Sequence, residues 1–288
     1  MFNRKTATSC MISFESVTKT YPGPRRSAAD VVAVHDTSFN VDTGTITVLA
    51  GSSGCGKTTL LRMVNRMVAP SSGRVQINGD DIAHMNPVQL RRKIGYVMQH
   101  AGLLPHKTVA ENIAVVPRLN GATRAEATRS VDRMLEMVEL SADMADRYPA
   151  ELSGGQAQRV GVARALADEP RILLMDEPFG AVDPLVRTGL QQQLIDIQHE
   201  LGTTMLFVTH DMSEALRLGH QIILLAKQGR IMQQDSPTKL VEQPANAFVE
   251  DFLGLNAAEK ALRTRTTEDG RTMVVDAHGR PAGFLEQA

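Results

Sequence analysis

The sequence predicts an α/β fold, a mostly parallel sheet covered by helices on both faces, and three observations carry that expectation. An apolar, β-prone run at residues 46–50 passes directly into a turn rich in glycine and serine, then into a helix. A second short apolar strand, residues 171–176, ends in adjacent carboxylates at Asp176 and Glu177. From residue 171 onward such strands, including 205–208 and 222–225, alternate with helical segments, as strands buried on both faces do.

Residues 1–10 are polar after Phe2 and hold no apolar stretch that could act as a cleavable signal, so a disordered extension is expected there. Residues 11–14 open the first strand, which contains Phe14 and Val17 and closes at Tyr21. Residues 22–30, with their prolines and arginines, read as a loop. The run 46–50 then meets Gly51-Ser52-Ser53-Gly54-Cys55-Gly56-Lys57-Thr58, which satisfies G-x-x-x-x-G-K-[ST], the phosphate loop of P-loop NTPases, and sits between strand and helix as that loop requires. Glycines 51, 54 and 56 allow a tight turn that brings successive N–H groups to phosphate oxygens. The helix beginning near Lys57 points its positive dipole end at the same place. Lys57 is expected to meet the β- and γ-phosphates and Thr58 to hold Mg²⁺, with Ser52, Ser53, Cys55 and Thr59 completing the binding loop.

Residues 11–98 are rich in β segments, whereas 100–168 turn helical. Thr123 and Glu126 form a capping-box pattern, and Val131, Met134, Leu135 and Val138 follow at core-facing helical spacing. Leu152-Ser153-Gly154-Gly155-Gln156 leads into another helix with Ser153 as its N-cap. At the end of strand 171–176 both carboxylates can converge on one site: Asp176 to bind Mg²⁺ through water, Glu177 to polarise a water attacking the γ-phosphate.

Composition narrows the function further. The 288 residues exceed a usual single domain, so one nucleotide-binding unit plus an appendage is expected. Lys+Arg number 31 against 32 Asp+Glu, giving a net charge of −1 and no basic field that would suit nucleic acid. The hydrophobic fraction is 42%, yet no run approaches the roughly 18 apolar residues of a membrane span. Contact with a membrane would therefore come through partners. Two cysteines, Cys10 and Cys55, support neither a disulfide framework nor a zinc site and suit a reducing cytoplasm.

Taken together, these motifs resemble the ATP-binding subunit of an ABC transporter, whose signature is the LSGGQ run at residues 152–156. The remaining landmarks of that family stand in the expected order. Tyr21 matches the aromatic that stacks on adenine. Gln99, in the run 96–99, matches the glutamine that senses Mg²⁺ and links the site to a membrane partner. Asp183, in 180–184, matches the loop crossing a dimer interface, and His210 the switch histidine at the γ-phosphate. The resemblance implies a P-loop NTPase (RecA-like) core with an antiparallel β subdomain and an inserted α-helical signature subdomain at about residues 100–168. The whole ATP-binding domain would occupy residues 11–254. It also implies that two copies pack head to tail around ATP, so that Ser153, Gly155 and Gln156 of one face the nucleotide on the other. Hydrolysis would then use a Glu177-oriented water, with Lys57, Gln99, His210 and Mg²⁺ around the spreading charge.

Within the family, residues 63–67, 70–73, 90–96, 102–108 and 244–249 resemble the ATPases of bacterial importers for quaternary-ammonium osmoprotectants such as glycine betaine, choline or carnitine. The implied partners are transmembrane permease subunits and, indirectly, a solute-binding protein, which would hold the chain peripherally at the cytoplasmic face of the inner membrane. An amino-acid importer or an exporter would use the same engine, and a soluble non-transport ABC ATPase is the more distant alternative. Some relatives carry paired CBS modules after the ATPase. Residues 255–288 resemble a truncated piece of one, a short α+β tail in which 272–285 form a β-turn-β unit turning at Asp276 to Gly279.

Overall fold

A computed structural model describes residues 10–23, 29–180, 182–255, 262–267, 271–276 and 278–285. The chain divides into two compact units, Met1–Pro237 and Thr238–Ala288.

In the first unit, β1 (Cys10–Tyr21), β2 (Val31–Asp42), β4 (Ser72–Ile77) and β5 (Asp80–Asp81) make an antiparallel sheet in the order β2-β1-β4-β5. Cys10, placed by the sequence in a disordered extension, is instead the first residue of β1, because it pairs across the sheet with Asp42. Residues 1–9 and 24–28, the latter within the expected loop, lie outside the described residues. The register of β1 against β2 shifts around Phe14 and Val17, where Ser16 adopts a φ of 46°. Such bulges bend a long strand and let it wrap over a core. Phe14 and Phe39 stack beneath this sheet with ring centroids 4.3 Å apart.

The second sheet has six strands, β3 (Ile46–Gly51), β6 (Ile94–Val97), β7 (Ile172–Asp176), β8 (Thr204–Thr209), β9 (Gln221–Leu225) and β10 (Ile231–Asp235). Their order is β10-β9-β3-β8-β7-β6, parallel throughout except for β10 against β9. Every residue of β3, β7 and β8 is buried, which explains their mostly apolar sequences. Helix α1 (Lys57–Val64) contacts strands of both sheets and buries Leu60, Leu61, Met63 and Val64 completely. Full burial of each such side chain stabilises by about 1.5–3 kcal/mol. That fixes the helix, and therefore the loop before it, against β3.

Helix α2 (Pro87–Arg92) precedes β6. The segment expected to be helical carries α3 (Val109–Ile113), α4 (Val115–Leu119), α5 (Arg124–Met137) and α6 (Gly154–Leu166). Thr123 and Glu126 cap α5 reciprocally, and Val131, Met134, Leu135 and Val138 are buried, as their spacing predicts. A second capping box, Thr108 with Glu111, opens α3. The fully buried Asn112 organises the turn before it: its side chain accepts from Leu104 N–H at 2.8 Å and donates to the carbonyls of Leu104, Lys107 and Thr108. Helices α7 (Pro184–Leu201) and α8 (Met212–Leu218) complete the unit.

Helix α9 (Pro237–Glu242) begins at the boundary, 17 residues ahead of the one expected at residue 254. The second unit continues with α10 (Ala247–Leu253), capped by Asn246, and a sheet of β11 (Arg263–Thr266), β12 (Thr272–Val275) and β13 (Pro281–Phe284) in that order. The expected β-turn-β is present: Gly279 N–H donates to Asp276 C=O and Asp276 N–H to Arg280 C=O, each at 2.9 Å. Strand β11 went unread because its sequence, Arg-Thr-Arg-Thr, is exposed at every position and alternates no apolar residue. Residues 256–261, 268–270, 277 and 286–288 of the expected tail are outside the described set.

Candidate functional site

The site forms where β3 ends. Gly51 has a φ of 153°, and a Cβ there would lie 2.4 Å from the Leu225 carbonyl oxygen; Gly56, at φ 108°, would place one 2.7 Å from that of Ala33. Only glycine lets this loop pass so close to neighbouring backbone. Cys55 lies beneath the loop, 1% exposed, and its carbonyl accepts from Gly229 N–H at 2.7 Å. The loop curls around Lys57, whose ammonium is buried and donates to the carbonyls of Gly51 at 2.6 Å and Ser52 at 3.0 Å. Helix α1 starts at Lys57, so its unpaired first-turn N–H groups face the same opening.

Strands β7 and β8 bring the acidic residues to that opening. Asp176 pairs in register with Val208, and Glu177, just past the strand at a φ of 46°, donates its N–H to Val208 C=O at 3.0 Å. The turn out of the strand sends the two carboxylates to different partners. Asp176 Oδ1 accepts from Thr58 Oγ1 at 2.7 Å, whereas Glu177 Oε2 lies 3.1 Å from His210 Nδ1. His210 follows β8 and sits on a buried polar base. Thr209 donates its hydroxyl to Glu214 at 2.7 Å, Gln191 of α7 reaches the same carboxylate at 3.4 Å, and Arg187 stands 3.8 Å from it. Burial is the main reason the Glu214 carboxyl is held above its usual range; the Thr209 hydroxyl pulls the other way and Asp211 adds to the rise.

An open cavity of about 460 Å³ is lined by Ala33, Ser53, Gly54, Gly56, Lys57, Thr58, Thr59, Gln99 and Glu177. Residues from four separate stretches of sequence thus share one wall, Gln99 among them. Ser52 is exposed beside the loop and Cys55 contributes no side chain to the wall. Tyr21 ends β1 and is 37% exposed, with Lys19 Nζ 5.0 Å from its ring centroid.

The signature residues lie elsewhere, since Ser153, Gly155 and Gln156 do not line this cavity. Ser153 caps α6, accepting from Gln156 N–H at 3.3 Å, while the Gln156 side chain accepts from Ser153 N–H at 2.9 Å. Asp183 is exposed just ahead of α7, and its carbonyl accepts from Arg187 N–H at 2.9 Å. Its neighbour Ala181 is outside the described residues.

Several supporting residues were missed in the sequence. Arg164 of α6 donates to the carbonyls of Ala101 and Gly102, each at 2.8 Å, and Gln158 to that of Met98 at 3.4 Å, so α6 clasps the chain on both sides of Gln99. Six residues apart, they do not share a helix face, so their spacing gave no signal. Tyr96 and Arg62, which approach Asp176, carried no signal at all.

Known proteins resemble this chain in sequence and fold. The ABC transporter family profile matches residues 34–180. The carnitine transport ATP-binding protein OpuCA of Listeria monocytogenes is 48% identical over 244 residues, covering 85% of this chain and 60% of its own length. The osmoprotectant import ATP-binding protein OsmV of Salmonella typhimurium is 45% identical over 279 residues, covering 96% of this chain and 72% of its own. The chain thus spans about 60% of the length of the first of these curated relatives. Among solved structures, the ATP-binding cassette MJ0796, in a dimeric post-hydrolysis state bound to ADP and Pi, superposes with a TM-score of 0.71 at 32% identity over 79% of this chain and 99% of its own. On sequence, fold and the order of its landmarks, the chain belongs to the ABC transporter family of ATP-binding proteins.

Proposed function

We propose that this chain binds Mg²⁺-ATP in the cavity beside the phosphate loop and hydrolyses it, energising a bacterial importer of quaternary-ammonium osmoprotectants. The observation that carries the reading is the meeting of Lys57, Thr58, Gln99 and Glu177 on one cavity wall, with Asp176 and His210 directly behind it.

The donor set suits Mg²⁺. The Thr58 hydroxyl and Asp176 carboxylate lie 2.7 Å apart as a pair of hard oxygen donors, and Gln99 shares the wall. When bound there, the ion would neutralise phosphate charge. The loop N–H groups and the α1 N-terminus cradle the phosphates, and Lys57 turns from the loop carbonyls to the β- and γ-oxygens. Glu177 orients and polarises the water that displaces ADP from the γ-phosphoryl group. His210, held by Glu177, donates to the charge that spreads over the transferring oxygens. The products are ADP and phosphate.

In the proposed assembly Ser153, Gly155 and Gln156 of one copy, with Asp183 beside them, close over the nucleotide of the other, and Tyr21 stacks on its adenine. Permease subunits meet the segment after Gln99 and hold the chain at the cytoplasmic face of the membrane, a solute-binding protein acting through them. Among the described residues no helix is long and apolar enough to cross a membrane. The osmoprotectant reading rests on the names of the relatives. A relative from Nitrosomonas europaea named for spermidine/putrescine import is 42% identical over 91% of this chain, so cargo is set chiefly by the partner subunits.

Phosphate release by the purified protein tests the chemistry. Glu177→Gln is expected to retain ATP binding and lower turnover by about 100-fold or more; near-normal turnover would remove Glu177 from its role. Uptake of labelled glycine betaine, choline and carnitine against spermidine, in cells with and without the gene, tests the cargo. Loss of spermidine uptake alone would overturn the osmoprotectant assignment.

A further inference from the structure

The Asp176 carboxylate is gripped from two sides. Its side chain is 7% exposed, and its two oxygens meet different partners. Oδ1 accepts from Thr58 Oγ1 at 2.7 Å. Oδ2 lies 3.3 Å from the Tyr96 hydroxyl and 3.5 Å from Arg62 Nη2.

The fold enforces this arrangement. Tyr96 of β6 pairs in register with Leu174 of β7, and Asp176 lies two residues beyond Leu174. Because side chains alternate along a strand, Tyr96, Leu174 and Asp176 project from one face of the sheet, the face on which α1 packs against β7. Thr58 and Arg62 are four residues apart on α1, so both lean toward that face one turn apart. A phenol is protonated at neutral pH and a guanidinium is always charged, so each presents a donor to Oδ2.

We propose that Tyr96, with Arg62, is a positioning residue for Asp176: together they hold Oδ2 so that Oδ1 stays turned toward Thr58 and the metal of a metal–nucleotide complex. This inference rests on the reading of the cavity as a Mg²⁺-ATP site. A carboxylate with no anchor on its second oxygen can rotate and share its lone pairs between orientations. With Oδ2 engaged, one oxygen is presented before the ion arrives. Such outer partners of a metal ligand are worth on the order of 10-fold or more in metal affinity. The strand bearing Tyr96 also runs on toward Gln99, so the residue that fixes Asp176 belongs to the element leading to another residue of the cavity lining.

The test uses the full chain and a fluorescent N-methylanthraniloyl ATP analogue, titrated with Mg²⁺ and, separately, bound in excess EDTA. Tyr96→Phe keeps the ring and removes only the hydroxyl. It is expected to raise the Mg²⁺ concentration giving half-maximal enhancement of binding by roughly 10-fold while leaving the EDTA affinity and the melting temperature of the metal-free protein near wild type. Arg62→Met is expected to shift it less, because Arg62 is half exposed. An unchanged Mg²⁺ requirement in both variants would overturn the inference, as would equal weakening with and without Mg²⁺, which marks a merely structural role. Should binding by the wild-type chain itself be indifferent to Mg²⁺, the underlying assignment of the cavity fails instead.

Discussion

At Gly56 the backbone leaves no alternative to glycine. Its φ of 108° lies where other residues are strained, and an added Cβ would press on the Ala33 carbonyl oxygen at 2.7 Å and on Val34 Cγ2 at 3.1 Å. Neither neighbour can yield freely, because Ala33 and Val34 belong to β2 and Val34 is fully buried. Gly54 in the same loop differs: its φ is 77°, and nothing stands within 4 Å of the added carbon. Gly56→Ala is therefore expected to lower the melting temperature by the equivalent of about 1–3 kcal/mol and to abolish binding of the fluorescent nucleotide, while Gly54→Ala shows the milder effect on both. Equal effects of the two substitutions would show that close approach is not what selects Gly56. The sequence made these positions legible because a phosphate loop is local: strand, glycines, lysine and helix are contiguous, and each is constrained by its immediate neighbours. Tyr96 and Arg62 were opaque for the converse reason. They stand 80 and 114 residues from Asp176, and only the register of β6 on β7 and the packing of α1 bring them together.

Among the elements, those with buried faces were the ones the sequence declared. Strands β3, β7 and β8 are mostly apolar because they are buried at every position, and α5 shows its stripe because one side meets the core. The pairing order, the bulges of β1 and the polar strand β11 follow from long-range contacts or from none, so no local pattern announces them. The join between β8, α7 and α8 is of this hidden kind. Glu214, in the first turn of α8, is buried against Thr209, Gln191 and Arg187, and burial raises its carboxyl pKa above the ordinary value of 4.5. The folded state then holds this proton more tightly than the unfolded chain does. Stability contributed by the residue is full below pH 4.5 and declines as pH rises through the folded-state value, where the carboxylate must ionise inside the protein. Glu214→Gln keeps an oxygen to accept from Thr209 and cannot ionise. The melting temperature of the variant minus that of wild type is expected to grow more positive as pH is raised from 4.5 and then to level off. A difference that is constant with pH would show that Arg187 fully compensates the buried charge.

For the whole molecule, the function proposed above requires that one chain supply only half of the arrangement its motifs describe. The cavity collects the phosphate loop, Gln99 and Glu177, yet Ser153 and Gly154 stand exposed at the start of α6 and none of the signature residues lines that cavity. A capped helix N-terminus keeps free N–H groups and a partial positive charge that stabilise an anion only if one is brought to them. Ser153 is already committed to capping Gln156 N–H, so its exposed hydroxyl and the neighbouring amides form a ready surface rather than a core contact. In the proposed assembly a second copy carrying ATP in its own cavity would offer that anion, and two such contacts related by a two-fold axis would close the assembly without leaving an open edge. Light scattering on Glu177→Gln, saturated with ATP and Mg²⁺, is accordingly expected to double the mass from the 31.3 kDa of one chain, whereas the nucleotide-free protein stays at that value. Adding Ser153→Ala should shift the mixture back toward monomer at equal nucleotide occupancy. Its loss of the cap costs α6 only about 1 kcal/mol, too little to unfold a chain of this size. If the nucleotide-loaded variant remains monomeric, or if dimerisation ignores Ser153, the signature does not act across an interface and the exposed α6 terminus must meet some other anion.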